Sequence, residues 1–218
     1  MPLYNGKFYS ITESRLLRPF LRSPFASLAI HWTFQGILYM DHTERLFKLA
    51  LDLLLTSAIA VTLFSAAGQP LLWAVVLAYG AAHTVNLLVN GQIWVVLKHF
   101  NLVSHTRGEL EAYVGMLAGH IRVEPSIVYA AAYGSLARGS WKATSDLDVR
   151  LVRRPGLWSG IRACCFALGE RARANWSRFP LDMYVLDSFR LLERVRPDEK
   201  PIVLFNAHDN PRILNDVG

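Results

Sequence analysis

The sequence predicts an α/β (α+β) domain, in which helices cover a mixed sheet, preceded by an all-α membrane hairpin. Charge is divided unevenly: residues 49–97 contain one charged side chain, Asp52, whereas residues 98–218 contain 17 of the 23 Lys and Arg and 13 of the 17 Asp and Glu. The charged half alternates segments of helical and strand periodicity, as expected of a sheet covered by helices. We therefore divide the chain into a basic interfacial segment (1–45), a two-helix transmembrane hairpin (46–98) and an α/β domain (99–218).

Two apolar stretches predict the hairpin. Residues 49–68 and 71–97 are each long enough to cross a hydrocarbon core of about 30 Å as a helix, and a short uncharged turn with Gly and Pro separates them. Basic residues flank their outer ends: Arg45, Lys48, Lys98 and Arg107. Because Lys and Arg favour the cytoplasmic side, we expect a multi-pass membrane protein with a cytoplasmic α/β domain. A buried hairpin in a soluble protein is the alternative.

Three polar side chains interrupt the second apolar stretch. His83, Asn86 and Asn90 are at positions i, i+3 and i+7, so they share one helical face. Polar side chains within a membrane usually face a partner rather than lipid. We expect them to form interhelical hydrogen bonds, with Asp52 or with a second copy of the chain in a homo-oligomer. A polar notch for a lipid headgroup or a polyprenyl phosphate is the alternative.

The N-terminal segment is basic and partly apolar. Residues 15–22 combine arginines with apolar side chains, and residues 23–40 carry no charge. This pattern fits either a helix lying in the membrane interface or a third, short span, and both stay open. The net charge of +6 suits anionic lipid or phosphorylated substrates. Nucleic acid is not expected as a partner, because no groove-like pattern of aromatic and basic residues accompanies the charge.

After residue 98 the pattern changes to that of a compact domain. A helix is predicted over 104–120, and a buried strand over 126–133 ends at a glycine turn. The residues at core spacing near this first helix are Leu110, Val114, Leu117 and Ile121. The later segments are a short helix over 136–141, a strand over 146–152, a helix over 157–176, a strand over 181–186, a helix over 188–195 and a last strand over 202–205.

Gly134 and Ser135 stand where the first strand meets the start of a short helix. Backbone N–H groups at such a position are free to bind an anion, and glycine lets a phosphate approach closely. The Ser135 hydroxyl adds a further donor. The pair therefore predicts a phosphate cradle.

Carboxylates follow this cradle in the sequence. Asp146 and Asp148 are at i and i+2 of a predicted strand, so their side chains point the same way. Like charges on one face repel unless a cation lies between them, and hard oxygen ligands suit Mg²⁺. If the later strand lies beside this one, Asp182 near its start would share the metal or accept the proton of an attacking hydroxyl. Asp187, at the far end of that strand, is expected to cap the next helix.

The pattern Gly134-Ser135-x10-Asp146-x-Asp148, with Arg138-Gly139 and Ser145 inside it, resembles the DNA polymerase β-like nucleotidyltransferase superfamily. It looks most similar to the minimal nucleotidyltransferases, to which the kanamycin nucleotidyltransferases are related. The resemblance covers roughly residues 104–206, about half of the chain. The preceding strand and the later Asp182 make the motif more specific than a bare GS…DxD pattern.

The resemblance implies a role for each matching residue. Gly134 and Ser135 would hold the triphosphate of an NTP, expected to be ATP, with help from Arg138. Asp146 and Asp148 would bind two Mg²⁺ ions, as in two-metal phosphoryl chemistry. Asp182 would complete the metal site and act as the general base on the acceptor.

The predicted function is that of a Mg²⁺-dependent nucleotidyltransferase anchored in the membrane. It would transfer a nucleoside monophosphate from an NTP to a hydroxyl or phosphate at the cytoplasmic membrane face. The acceptor stays open between a small molecule, a lipid-linked molecule and a protein, and membrane lipid is an expected partner. One alternative is a protein AMP-transferase of the antitoxin type. Another is a non-catalytic membrane subunit that uses the domain for docking.

Overall fold

The computed structural model describes residues 29–30, 32–37, 40–90, 94, 97, 103–194 and 200–207. Two apolar helices, α1 His42–Ser65 and α2 Leu71–Val89, precede a mixed α/β domain. The domain contains helices α3 Arg107–Val123, α4 Gly134–Ala137 and α5 Leu157–Trp176, strands β1 Ile127–Tyr133, β2 Leu147–Arg153, β3 Leu181–Leu186 and β4 Ile202–Asn206, and a 3-10 helix Phe189–Arg194. The predicted combination of a mixed α/β fold with two apolar helices is confirmed.

Element bounds within the domain agree closely with the predicted ones. α5 and β3 have the predicted bounds, β1 and β4 differ by one residue at one end, and β2 differs by one residue at both ends. The short helix expected over 136–141 spans Gly134–Ala137 instead. α3 begins later than predicted because a capping box fixes its start. The Thr106 hydroxyl accepts the Glu109 N–H (3.2 Å), and the Glu109 carboxylate accepts the Thr106 N–H (2.7 Å). The helix expected over 188–195 is a 3-10 helix.

The sheet has four strands in the order β3-β2-β1-β4. β1 is antiparallel to β2 and β4, whereas β2 and β3 are parallel and joined by the crossover helix α5. β3 is therefore an edge strand. Alternate residues of the strands pack with α3 and α5 into one core, which includes Leu110, Leu117, Ile121, Leu147, Val149, Leu151, Ala163, Ala167, Leu181, Met183 and Val185. Val114 is only partly buried against this core.

α1 and α2 form an antiparallel pair that we call the apolar hairpin. Both helices are long and apolar enough to cross a membrane. α1 starts seven residues before the predicted span, because Asp41 caps it through the His42 N–H (2.8 Å). In α2 the small residues Ala74, Ala78 and Ala82 are buried at four-residue spacing, which permits close helix packing. The outer surface is apolar and exposed, with Leu53, Leu54, Val61, Phe64, Leu71, Leu72, Trp73 and Val76.

The polar side chains of α2 have hydrogen-bond partners in α1, in α2 itself and in the segment before α1. His83 Nδ1 lies 2.9 Å from Asp52 Oδ2, and Asn86 donates to Asp52 Oδ1 at 2.6 Å. His83 Nε2 lies 2.8 Å from the carbonyl oxygen of Trp32, and Asn90 donates to the Asn86 carbonyl (2.8 Å). The prediction of interhelical hydrogen bonds that include Asp52 is confirmed. The alternative of a polar notch loses its basis, because these groups already bind one another.

We expect Asp52→Ala to destabilise the apolar hairpin, because His83 and Asn86 then lose their shared acceptor. Each buried polar group left without a partner costs about 1–3 kcal/mol. The measurement is the melting temperature in detergent, followed by far-UV circular dichroism. Thr62→Ala is the matched control, since the Thr62 hydroxyl is exposed and donates to the Ala58 carbonyl of its own helix. Equal melting temperatures for both variants would contradict this account.

Part of the uncharged N-terminal stretch packs against the apolar hairpin. The Gln35 amide donates to the His83 carbonyl (2.6 Å), and Lys48 donates to the Gln35 carbonyl (2.9 Å). Gln35 and Gly36 have positive φ angles of 44° and 72°, so the chain turns here rather than continuing as a helix. Residues 1–28, 31 and 38–39 lie outside the described residues. The two alternatives for the N-terminal segment, an interfacial helix and a third span, fall mostly on these residues.

Candidate active site

Gly134 joins β1 to α4 at the edge of the predicted cradle. Its φ angle is +74°, a conformation that favours glycine. The preceding residue, Tyr133, pairs with Asp148 across β1 and β2. A Cβ atom added to Gly134 would lie 2.0 Å from Asp148 Oδ2. Both the backbone conformation and the close approach of Asp148 therefore require glycine here.

Ser135 contributes a buried hydroxyl to the same turn. Within the described part of the chain, its Oγ has no hydrogen-bond partner. The turn itself is held by backbone bonds: Ser140 N–H donates to the Ser135 carbonyl (2.9 Å), and Arg138 N–H donates to the Gly134 carbonyl (3.1 Å). Since buried hydroxyls normally find a partner, Ser135 Oγ fits a ligand oxygen. Arg138 directly follows α4 on this turn.

Two of the three predicted carboxylates face each other. β2 and β3 are parallel neighbours, and Asp148 pairs with Asp182 in their register. The condition on which the role of Asp182 depends, that its strand lies beside β2, is thus met. Asp146 lies just before β2 rather than within it. A turn sets its position, in which the Ser145 hydroxyl accepts the Lys142 N–H (3.0 Å).

Electrostatics at the carboxylate pair are unfavourable in the absence of a cation. Burial, and after it the negative charges of Asp182 and Asp146, raise the pKa of Asp148 to about 7. Arg150 opposes this shift, with its Nη2 4.0 Å from Asp148 Oδ1 and 3.8 Å from Asp182 Oδ2. One arginine therefore offsets only part of the repulsion.

Arg150 is a site residue that the sequence analysis missed. It is buried, donates to the Asp182 carbonyl (3.2 Å) and lies 4.6 Å from the centre of the Tyr184 ring. Strand periodicity was the available signal, because residues i and i+2 of β2 share a face and Arg150 stands two residues after Asp148.

The donor chemistry fits a divalent cation in part. Asp148 and Asp182 offer hard oxygen ligands from neighbouring strands, and their mutual repulsion favours a bound cation. Among the described residues, however, no group of three or more His, Cys, Asp or Glu is placed to hold one metal ion. The pair is compatible with a Mg²⁺ ion, whereas ligation by Asp146 and a second ion stay predictions.

Asp187 does not have the role predicted for it. Its carboxylate accepts the Arg153 Nε–H (2.7 Å) and the Thr43 N–H (3.2 Å) instead of serving as a helix cap. Arg153 also donates to the Thr43 hydroxyl (2.9 Å). Asp187 therefore links the end of β3 to the start of α1 through hydrogen bonds.

The site brings a glycine turn, an unpaired hydroxyl and a repelling carboxylate pair to one end of the sheet. No protein-family model matches the chain, and no curated protein matches it in sequence. The motif and its geometry are therefore the basis on which a function is assigned.

Proposed function

We propose that this chain is a membrane-anchored, Mg²⁺-dependent nucleotidyltransferase. It transfers a nucleoside monophosphate from an NTP, with ATP as the expected donor, to an acceptor at the cytoplasmic membrane face. The observation that carries the proposal is the contact of Gly134 with the Asp148 carboxylate, in register with Asp182 on the next strand. This contact joins the phosphate-binding turn and the carboxylate pair in one site.

The glycine turn and the carboxylate pair have separate roles in this reaction. The N–H groups after Gly134 and the unpaired Ser135 hydroxyl bind phosphate oxygens of the NTP. An acceptor hydroxyl attacks the α-phosphorus, the bond to the bridging oxygen breaks, and pyrophosphate leaves. The acceptor proton passes to a carboxylate oxygen of Asp182. Asp148 and Asp182 would hold a Mg²⁺ ion, which would stabilise the negative charge of the phosphates.

The apolar hairpin supports action at a membrane. Its outer surface exposes large apolar side chains over most of α1 and α2, which is unfavourable in water. At its charged end, Glu44 of α1 binds Arg171 and the Val185 N–H of the domain, and Lys48 donates to the Gln35 carbonyl. In this arrangement the domain stays in water beside the bilayer, and the basic residues that flank the hairpin, Arg45 and Arg107 among them, favour the cytoplasmic side.

Labelling with α-labelled NTPs tests the proposal. We expect the purified full-length protein, with Mg²⁺ and a membrane extract, to label a product, and Asp146→Asn/Asp148→Asn to reduce labelling by at least about 100-fold, as for loss of a main electrostatic element. Glu111→Gln is the control, since Glu111 is exposed and pairs only with Arg107 among the described residues. Equal labelling by the double variant would reject the proposal. A labelled protein rather than lipid would indicate AMP transfer to protein.

A non-catalytic docking role is the second candidate. The observation that favours it is that the described residues place no three metal-binding side chains together. A thermal-shift screen of four NTPs with Mg²⁺ separates the two, because a ligand that binds the folded state raises its melting temperature. Stabilisation by one NTP supports catalysis. No stabilisation, together with a stoichiometric co-purified partner, supports docking.

A further inference from the structure

The free edge of β3 is covered by the end of the apolar hairpin. We call this end the hairpin base and define it as residues 41–48 and 86–90. Asp187 N–H donates to Asp41 Oδ2 (2.8 Å), and Val185 N–H donates to Glu44 Oε2 (2.8 Å). The Met183 carbonyl accepts from Arg171 of α5. Unpaired edge groups of a sheet need such cover, and side chains of the hairpin base supply much of it here.

Arg171 connects three parts of the chain. This buried guanidinium binds the Glu44 carboxylate of α1, the Asn90 amide oxygen at the end of α2 (3.1 Å) and the Met183 carbonyl of β3 (Nε, 3.2 Å). A buried charge is tolerated only when it is paired and hydrogen-bonded in this way. The position of Met183 is therefore tied to the position of both hairpin helices.

Asp182 is the residue before Met183, whose carbonyl Arg171 binds. Its own carbonyl accepts from Arg150 at 3.2 Å, and the next carbonyl, of Met183, accepts from Arg171. The Tyr184 ring lies 4.6 Å from the Arg150 guanidinium and 5.8 Å from that of Arg171. Two arginines thus bind consecutive carbonyls of β3, those of Asp182 and Met183, and Arg171 is itself held by the hairpin base.

We propose that Glu44 and Arg171 are positioning residues for Asp182, so that the apolar hairpin is a working part of the site as well as an anchor. The proposal rests on the proposed function. Its chemical reason is that a misplacement of a reacting group by about 1 Å costs about 100-fold in rate. A shift of the hairpin base moves Met183, and Asp182 moves with it.

Arg171→Lys and Glu44→Gln in the full-length protein test this idea. Lysine keeps the charge but lacks the planar fork that binds three partners at once. We expect kcat to fall by about 100-fold with little change in KM for the NTP. We also expect hydrogen exchange of the amides over 181–187 to become at least about tenfold faster, since bonds to charged groups at this edge are weakened. Arg162→Lys is the matched control, because Arg162 lies on the same helix, is exposed and pairs with Glu124 (2.7 Å).

The outcomes separate this inference from the proposed function. A wild-type protein that labels no product rejects the proposed function. An active wild type whose Arg171→Lys and Glu44→Gln variants keep kcat, or keep slow exchange over 181–187, rejects positioning through the hairpin base. A fall in kcat that only matches the unfolded fraction, measured from the melting curve, also rejects it. A fall in kcat with folded protein, unchanged KM and faster exchange supports it.

Discussion

Gly134→Ala is expected to destabilise the domain by about 2–5 kcal/mol, of which ~1–2 comes from the left-handed backbone conformation and ~1–3 from overpacking. The added Cβ would lie 2.0 Å from Asp148 Oδ2, so the carboxylate must move. A displaced Asp148 no longer faces Asp182 at its observed position, and nucleotidyl transfer should be lost with it. The measurements are the melting temperature in detergent and the labelling of product by an α-labelled NTP.

Gly139→Ala is a closely matched control. Gly139 has a similar φ angle, +67°, but no described atom lies within 4 Å of a Cβ added there. This variant should therefore show the backbone cost alone and keep its activity. Asp148→Ala provides a second control, because without the carboxylate Gly134→Ala should lower the free energy of unfolding by less. A double-mutant cycle measures this coupling. Additive costs, or equal costs at Gly134 and Gly139, would show that the Asp148 contact is unimportant.

Local patterns were sufficient to predict most of the α/β domain. α5 and β3 could be placed because each combines a clear periodicity with glycine or proline at its boundary. The carboxylates were predictable in part: Asp148 and Asp182 stand near the starts of neighbouring strands and pair in register, whereas Asp146, expected on the same strand face as Asp148, lies just before β2. Within a strand the side-chain direction follows from the strand period alone.

Contacts between distant parts of the sequence were not predictable in the same way. The Glu44–Arg171 pair joins residues 127 positions apart, and no periodicity links them. The start of α1 was missed for a related reason. Hydropathy excludes charged residues from a span, yet Glu44 and Lys48 belong to the helix because they bind the domain and the turn at Gln35. Asp187 was assigned to a local cap, although its partners come from α1 and β2.

Asp148→Asn is expected to stabilise the metal-free protein while removing its activity. The pKa of Asp148 is raised to about 7 in the folded state by burial and by Asp182 and Asp146, well above its value in the unfolded chain. The folded state therefore binds this proton more tightly than the unfolded state does. The contribution of Asp148 to the free energy of unfolding is therefore fully present below the pKa that this carboxyl has in the unfolded chain. It is lost as the pH rises through about 7, the pKa in the folded state.

In Mg²⁺-free buffer with chelator, the wild type should lose about 2–3 kcal/mol of stability between about pH 5 and pH 8 through this group, at about 1.4 kcal/mol per pKa unit. Asparagine carries no charge, so the variant should lack this loss and melt about 5–10 °C higher at the upper end. Glu111→Gln should follow the wild type, because Glu111 is exposed. Parallel pH profiles for the wild type and Asp148→Asn would mean that the carboxylates do not repel each other as described. A variant that gains stability and loses nucleotidyl transfer identifies Asp148 as a residue kept for its chemistry. In that case asparagine stabilises the fold better than a carboxylate buried beside Asp182 does, so stability does not explain the carboxylate.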